Sequence, residues 1–356
     1  MHNGGVSERG TEEQLRNRAA AVYRRLAAWW ELNARDLPWR FGRATPWGVL
    51  VSEVMSQQTQ MSRVVPYWMD WMRVWPDAAA LAEAPTAEVI TAWGRLGYPR
   101  RALRLQECAR VVAEQYGNEL PRTYEELVAL PGVGDYTASA VLSFAFGERI
   151  AVIDTNIRRV LSRVFLGVES RGGAASRAER ELAARVLPGE GREREAPGSS
   201  SGVCANADAG VACNVRHVPH EPSAIWNQAV MELGATVCTA QAPQCGDCPL
   251  RDMCAFLAAG LPGLGESRTR PRQRFQGTDR QVRGIVLNAL RRSAVQAARG
   301  VAGGQSSGAG ASGAVPRSRI ERLWPDQVQL DACIASLDED GLLEMMPDGS
   351  LRLPVG

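Results

Sequence analysis

Apolar residues recur at helical spacing from about residue 12 to residue 166, and few stretches alternate long enough to form strands. The pattern predicts an all-α main body. Helix starts are marked along it. Thr45 before Pro46 reads as an N-cap followed by proline at the first helical position, and Thr123 with Glu126 reads as a capping box. Helices are expected over 124–130, 135–146 and 155–164. Periodicity stops over 188–222, where GEGREREAPGSSSG offers few large apolar groups, so this stretch is expected to be a flexible insertion. The helical pattern resumes at Ser223. A second break over 257–278 is rich in Pro, Gly and Arg; Arg268, Arg270, Arg272 and Arg274 alternate in it, which suits a basic linker that contacts phosphate. Thr278 and Gln281 then offer another capping box, and Val282, Ile285, Val286, Ala289 and Leu290 mark one helical face. After a Gly/Ser-rich stretch at about 300–314, two short helices and a hairpin from Leu342 to Leu353, turning at Pro347-Asp348-Gly349, predict a winged-helix-like α+β domain. The expected layout is a body over 12–256, a linker over 257–278 and a small domain over 279–356.

The 356 residues exceed one small domain, and 45% apolar with 22% charged residues is ordinary globular composition. No uncharged apolar run approaches the ~20 residues that cross a bilayer. The opening MHNGGVSERGTE lacks the apolar core of a secretory signal, so a cytoplasmic chain is expected. All 41 basic residues are Arg, and Lys is absent. Of the eight Cys, Cys108 and Cys333 stand alone, whereas Cys238-x6-Cys245-x2-Cys248-x5-Cys254 gathers four in one short segment. Four thiolates can hold zinc or an iron–sulfur cluster. A zinc ribbon usually shows two CxxC pairs, and the single CxxC in a compact loop favours the cluster. Cys204, Cys213, His217 and His220 form a weaker ligand set inside the insertion, without apolar neighbours to support it.

Two carboxylates and one turn carry further chemistry. Glu53 is the only charged residue between Arg43 and Arg63 and falls on a helix among Val49, Leu50 and Val54. Such surroundings disfavour its charged form, which suits a general acid, although an exposed glutamate fits the pattern equally. Asp154 precedes the helix starting at Thr155, where N-capping explains it and where an ionised carboxylate could also face a developing cation. In Leu130-Pro131-Gly132-Val133-Gly134, two glycines around one apolar residue permit a tight hairpin with backbone N–H groups suited to a phosphate oxygen.

Taken together, VSEVMSQQTQ at 51–60, LPGVGDYTASA at 130–140, AVIDTNIRRVLSR at 151–163 and the four-cysteine spacing resemble the helix-hairpin-helix DNA glycosylases that carry an iron–sulfur cluster. The likeness covers about residues 12–256 and is greatest to the adenine-removing, MutY-type branch, which acts on adenine mispaired with 8-oxoguanine; endonuclease III is its sibling. It implies a helix-hairpin-helix fold, a [4Fe–4S] cluster on Cys238, Cys245, Cys248 and Cys254, and double-stranded DNA with an adenine mispair as partner of a monomer. It places the catalytic acid at Glu53, the catalytic aspartate at Asp154, and Tyr136 and Asn156 beside the reaction. It puts Trp39, Arg40 and Gln228 around the adenine, Gln57, Gln58 and Thr59 at the DNA around the lesion, and Gly132, Val133 and Gly134 on the backbone. The bifunctional sibling needs a Lys where Tyr136 stands, and a chain without Lys cannot form that Schiff base.

The chain also departs from the pattern. The familiar enzyme's Nudix-like terminal domain has no counterpart in 279–356, the family's GLGYYSR-like segment reads Leu96-Gly97-Tyr98-Pro99-Arg100, and Ser56 replaces a large apolar residue. A thymine or uracil mismatch glycosylase and a non-catalytic iron–sulfur DNA-binding regulator are the competing readings. Glu53 argues against the first, and Glu53 with Asp154 against the second.

Overall fold

The computed structural model describes residues 5–170, 173–189, 221–266, 275–302 and 313–355. Cys204, Cys213, His217, His220 and the four alternating linker arginines lie outside these residues. The helices are α1 (Gly5–Asn33), α2 (Pro46–Ser56), α3 (Met61–Val74), α4 (Ala78–Ala82), α5 (Thr86–Trp93), α6 (Arg100–Gln115), α7 (Tyr124–Ala129), α8 (Asp135–Phe146), α9 (Thr155–Leu161), α10 (Arg177–Arg185), α11 (Pro222–Thr236), α12 (Ala255–Ala258), α13 (Asp279–Ala302), α14 (Arg317–Glu321) and α15 (Gln327–Glu339). A short hairpin, β1 (Glu344–Met345) and β2 (Leu351–Arg352), follows.

Most starts follow the local chemistry. Thr45 accepts the Gly48 N–H on its hydroxyl at 3.2 Å, and α2 begins at Pro46. α7 begins directly after Thr123, and α8 spans the predicted 135–146 before Gly147 closes it at φ +72°. Three details differ. The helix expected over 155–164 is α-helical only to Leu161 and widens into a π-turn over Ser162–Leu166, ending at Gly167. At α13, Gln281 accepts from the Gly277 N–H, and the Thr278 hydroxyl donates to the Phe275 carbonyl at 2.8 Å, so the expected box is replaced by a turn reaching one residue further back. The signal Ser176-x-x-Glu179 went unread at α10, where both halves of a capping box are present.

The chain forms two compact units: 1–49 with 122–125 and 134–266, and 50–121 with 126–133 and 267–356. In the first, α11 is central. Its Trp226, Val230 and Leu233 pack with Val22, Leu26 and Trp30 of α1 and with Ile157 and Val160 of α9, all buried. Gly234 permits the close approach of α11 and α9, since a Cβ there would lie 2.7 Å from the Asn156 Cβ.

In the second unit, Trp71 meets Trp75 and Trp93 edge-on at centroid distances of 4.7 and 5.6 Å. The terminal residues share a core there with Ile90 of α5: Val282, Val286 and Leu290 of α13 pack with Leu330, Ile334 and Leu337 of α15 and with Leu342 and Leu351 of the hairpin. Ile285 and Ala289 are only partly buried. The hairpin pairs Glu344 with Arg352 and Met345 with Leu351, and Gly349 turns it at φ +81°. Val315 bridges Leu351, an edge the sequence pattern does not predict.

Candidate active site and iron–sulfur loop

α2 carries Glu53 into apolar surroundings. The residue is 7% exposed, and Leu50, Val51, Val54 and Met55 around it are buried, so of its two sequence-stated alternatives burial is the one found. The turn after α2 is held by a residue that sequence reasoning missed. Arg101 donates to the carbonyls of Val54 and Gln57, both at 2.7 Å, and so satisfies orphan groups at the helix end. It also reaches the Thr59 hydroxyl at 3.3 Å and the Gly97 carbonyl at 3.1 Å, clipping the 57–59 turn to the 96–98 turn. Burial pushes the Arg101 guanidinium down to about 10. Gln57 and Thr59 are half-buried, whereas Gln58 is exposed in a left-handed conformation at φ +54°.

The hairpin takes its expected form. Gly132 has φ +76°, and a Cβ there would lie 2.9 Å from the Arg104 Cβ, so only glycine fits. Val133 is buried as the anchor, and Gly132 is exposed. Gly134, also exposed, stands at the N-cap of α8 without a side-chain cap. Tyr136 follows in the first turn of α8, half-buried against the first unit's core.

Asp154 caps α9 by accepting the Ile157 N–H at 2.6 Å, and its other oxygen accepts from the Asn156 amide at 2.9 Å. Burial raises its pKa, outweighing these hydrogen bonds and the Arg159 charge, so capping alone does not hold it as far ionised as expected. The Asn156 amide is oriented in turn by Arg159, which donates to its oxygen at 2.8 Å. Arg159 also donates to the carbonyls of Gly234 at 2.6 Å and Cys238 at 2.8 Å. A continuous chain of hydrogen bonds therefore runs from Asp154 to the cysteine loop.

Cys238, Cys245, Cys248 and Cys254 line one pocket with Arg163 and Arg251. Among the described residues no three Cys, His, Asp or Glu side chains close on a single-ion position. Four thiols lining one pocket match the all-cysteine coordination that an iron–sulfur cluster takes. Burial pushes the Cys248 thiol up to about 11 and raises Cys238. Iron held by these cysteines would offset that cost and keep them as thiolates. Arg163, 1% exposed, donates to the Cys238 sulfur at 3.3 Å and to the Thr239 carbonyl at 2.7 Å, adding positive charge beside an anionic cluster. The donor set fits a [4Fe–4S] cluster.

Trp39 is buried, and Arg40 is already engaged: it donates to Glu232 at 2.8 Å and lies over the Trp30 ring at 4.8 Å. Gln228 sits half-buried on α11, with no hydrogen bond of its amide among the described residues.

Residues 51–186 match the HhH-GPD superfamily base excision DNA repair protein, and residues 238–254 match the iron–sulfur binding domain of endonuclease III. Adenine DNA glycosylase of Mycolicibacterium smegmatis is 40% identical over 329 residues, covering 92% of this chain and 94% of that protein. A match of that extent necessarily reaches into the terminal region 279–356. Human adenine DNA glycosylase is 40% identical over 239 residues, covering 64% of this chain and 38% of that protein. Thymine-DNA glycosylase of Aeropyrum pernix is 33% identical over 245 residues, covering 68% and 96%. Among solved structures, a thermostable thymine-DNA glycosylase superposes with a TM-score of 0.54 at 24% identity over 68% of this chain and 98% of that one. Endonuclease III in a non-covalent DNA complex gives 0.51 at 22% identity over 70% and 98%, and both likenesses show the helix-hairpin-helix glycosylase fold. The chain belongs to the adenine DNA glycosylase family, within the HhH-GPD superfamily of base excision DNA repair proteins.

Proposed function

We propose that the chain is a monofunctional adenine DNA glycosylase that hydrolyses the N-glycosidic bond of adenine mispaired with 8-oxoguanine or guanine in duplex DNA, acting as a monomer in the cytoplasm. The reading is carried by two carboxylates, Glu53, buried among apolar side chains on α2, and Asp154, half-buried at the start of α9, each of which suits a different half of the reaction.

Adenine leaves poorly as an anion. In this reading Glu53 donates a proton to a ring nitrogen on the imidazole side of the base, and the bond from C1′ to N9 breaks as its electron pair moves onto the protonated base. An oxocarbenium-like sugar remains. Asp154, its carboxylate fixed by Ile157 and Asn156, faces that cation until water adds at C1′ and releases the proton that restores the acid form of Glu53. The products are adenine and an abasic site. Tyr136 has no amine to trap the sugar, so the strand stays intact. Gln228, whose amide makes no hydrogen bond among the described residues, suits the adenine edge, and Trp39 the pocket wall. Arg40, held in place by Glu232, joins Trp39 in that wall. Gln57, Gln58 and Thr59 meet the duplex near the opposite base, and the N–H groups of the 132–134 hairpin meet phosphate. The cluster, when bound, ties the 238–254 loop together through four iron–sulfur bonds. The order of helices and hairpin in 279–356 supports the winged-helix-like reading of that region.

Duplexes carrying adenine opposite 8-oxoguanine test this reading. Free adenine together with a strand that breaks only on alkali treatment is expected. Strand scission without alkali contradicts the monofunctional assignment.

A second reading, removal of thymine or uracil from mispairs, is favoured by the 33% identity to the Aeropyrum pernix protein. The presence of Glu53 and the longer match to adenine DNA glycosylases argue for the first.

A further inference from the structure

Helix α13 grips the loop that joins α5 to α6. Three contacts are spaced along residues 94–100. Arg291 of α13 donates to the Ile90 carbonyl at 3.0 Å and to the Gly94 carbonyl at 2.7 Å. Gly94 is itself confined: its φ is +52°, and a Cβ would lie 2.6 Å from the Tyr67 ring. Arg280, at the other end of the same helix, lies over the Tyr98 ring at 5.2 Å. Asp340 pairs with Arg100 at 3.2 Å and is held by Arg283 of α13 at 2.5 Å. Arg280 and Arg291 are eleven positions apart, roughly 16 Å of helix at ~1.5 Å per residue. The apolar seam of Val282, Val286 and Leu290 against Ile90 keeps that length of helix alongside the loop.

The gripped loop presents an unusual residue. Tyr98 is 48% exposed and left-handed at φ +47°, a region that non-glycine residues occupy only where their surroundings hold them. Arg101 lies 5.7 Å from the same ring centroid. Arg101 also ties this loop to the turn bearing Gln58, the other exposed left-handed residue here. Arg280 is exposed and has no carboxylate partner among the described residues, so the ring is its principal contact.

We propose that Arg280 is a positioning residue that holds Tyr98 ready to stack beside the mispair, and that α13, with Asp340, is a splint for the 94–100 loop. The inference rests on the glycosylase reading and deepens it: the terminal region contributes to mispair recognition by fixing a body residue in place.

A double-mutant cycle on the full chain tests it, with Arg280→Ala, Tyr98→Ala, the double variant and Arg280→Lys. Affinity is measured for a duplex with adenine opposite 8-oxoguanine and for an undamaged duplex, and 2-aminopurine beside the mispair reports local stacking. Arg280→Ala is expected to weaken binding of the mispaired duplex about three-fold, the size of an exposed cation–π contact, and to shift the 2-aminopurine signal. Binding of the undamaged duplex and the melting temperature should stay near wild type, and Arg280→Lys should recover most of the loss. On the Tyr98→Ala background, Arg280→Ala should add nothing. Equal losses on both backgrounds, or equal losses for both duplexes, would make Arg280 a phosphate contact and overturn the proposal. A wild type that binds the two duplexes alike overturns the functional reading and the inference with it; a discriminating wild type with additive variants overturns the inference alone.

Discussion

Two acidic residues of the first unit, Glu232 on α11 and Asp154 before α9, are both withdrawn from water and are treated in opposite ways. Burial alone would raise Glu232. Arg35 grips both of its oxygens at 2.6 and 2.9 Å, and Arg40 adds 2.8 Å, which together hold it at about 2. Asp154 receives hydrogen bonds from an N–H and an amide, Arg159 adds its charge nearby but hydrogen-bonds to Asn156 instead, and burial wins. The first arrangement satisfies a charge completely and leaves it nothing further to do. The second leaves a carboxylate that gains from a nearby cation, which is what an oxocarbenium-like sugar provides. In the proposed reaction, ion-pair completeness, more than burial, separates the structural carboxylate from the chemical one.

The largest expected effects are on rate. Glu53→Gln should lower single-turnover adenine release by about 10²–10⁴-fold while duplex binding persists, since the amide keeps shape but loses the proton to donate. Asp154→Asn should cost about 10²–10³-fold. Its stability sharpens the comparison. A carboxyl whose pKa is raised by folding loses stabilisation as pH climbs past the unfolded value, so an uncharged Asn, itself a good cap, should stay within about 1 kcal/mol of wild type at neutral pH in denaturant titration. A variant both slow and unfolded would make Asp154 a structural cap.

Glu232→Gln should do the reverse. Breaking a buried pair strands two guanidinium groups, with an expected loss of about 3 kcal/mol in the same titration, while protein that remains folded keeps its rate. A folded Glu232→Gln enzyme as slow as Asp154→Asn would erase the distinction. A smaller effect follows from acid. Glu232 and Glu179 are both depressed to about 2 by their arginine and hydrogen-bond partners, against burial that would raise them. Their stabilisation is therefore fully present above the unfolded value near 4.5 and is lost as pH falls toward 2, so melting temperature should drop across that window and less so in Glu232→Gln. Smallest is Gly132→Ala, where positive φ and the Arg104 contact should cost about 1–3 kcal/mol locally and weaken duplex binding.

Much of this was legible in the sequence because local signals repeat there. Thr45-Pro46, the glycines of the 130–134 turn and the spacing of Cys238, Cys245, Cys248 and Cys254 each act over a few residues, and each takes its expected place. The arginines were not legible. Arg40 is bound to Glu232, 192 positions away, while Arg101 and Arg159 hold turns and carbonyls from distant segments. Nothing local distinguishes a buried, carbonyl-capping Arg from a solvated one in a chain whose cations are all Arg. The tie of α13 to the α5–α6 loop is hidden for the same reason, since Ile90 and Arg291 meet only after folding.

The central claim is that this chain releases adenine, and does so through Glu53. Its most direct test is the identity of the free base, by chromatography under single-turnover conditions, from duplexes carrying adenine, thymine or uracil opposite 8-oxoguanine or guanine, with wild type and Glu53→Gln side by side. Adenine alone should appear with wild type, and almost none with Glu53→Gln. Thymine or uracil in its place, or adenine at an undiminished rate from Glu53→Gln, would contradict the account.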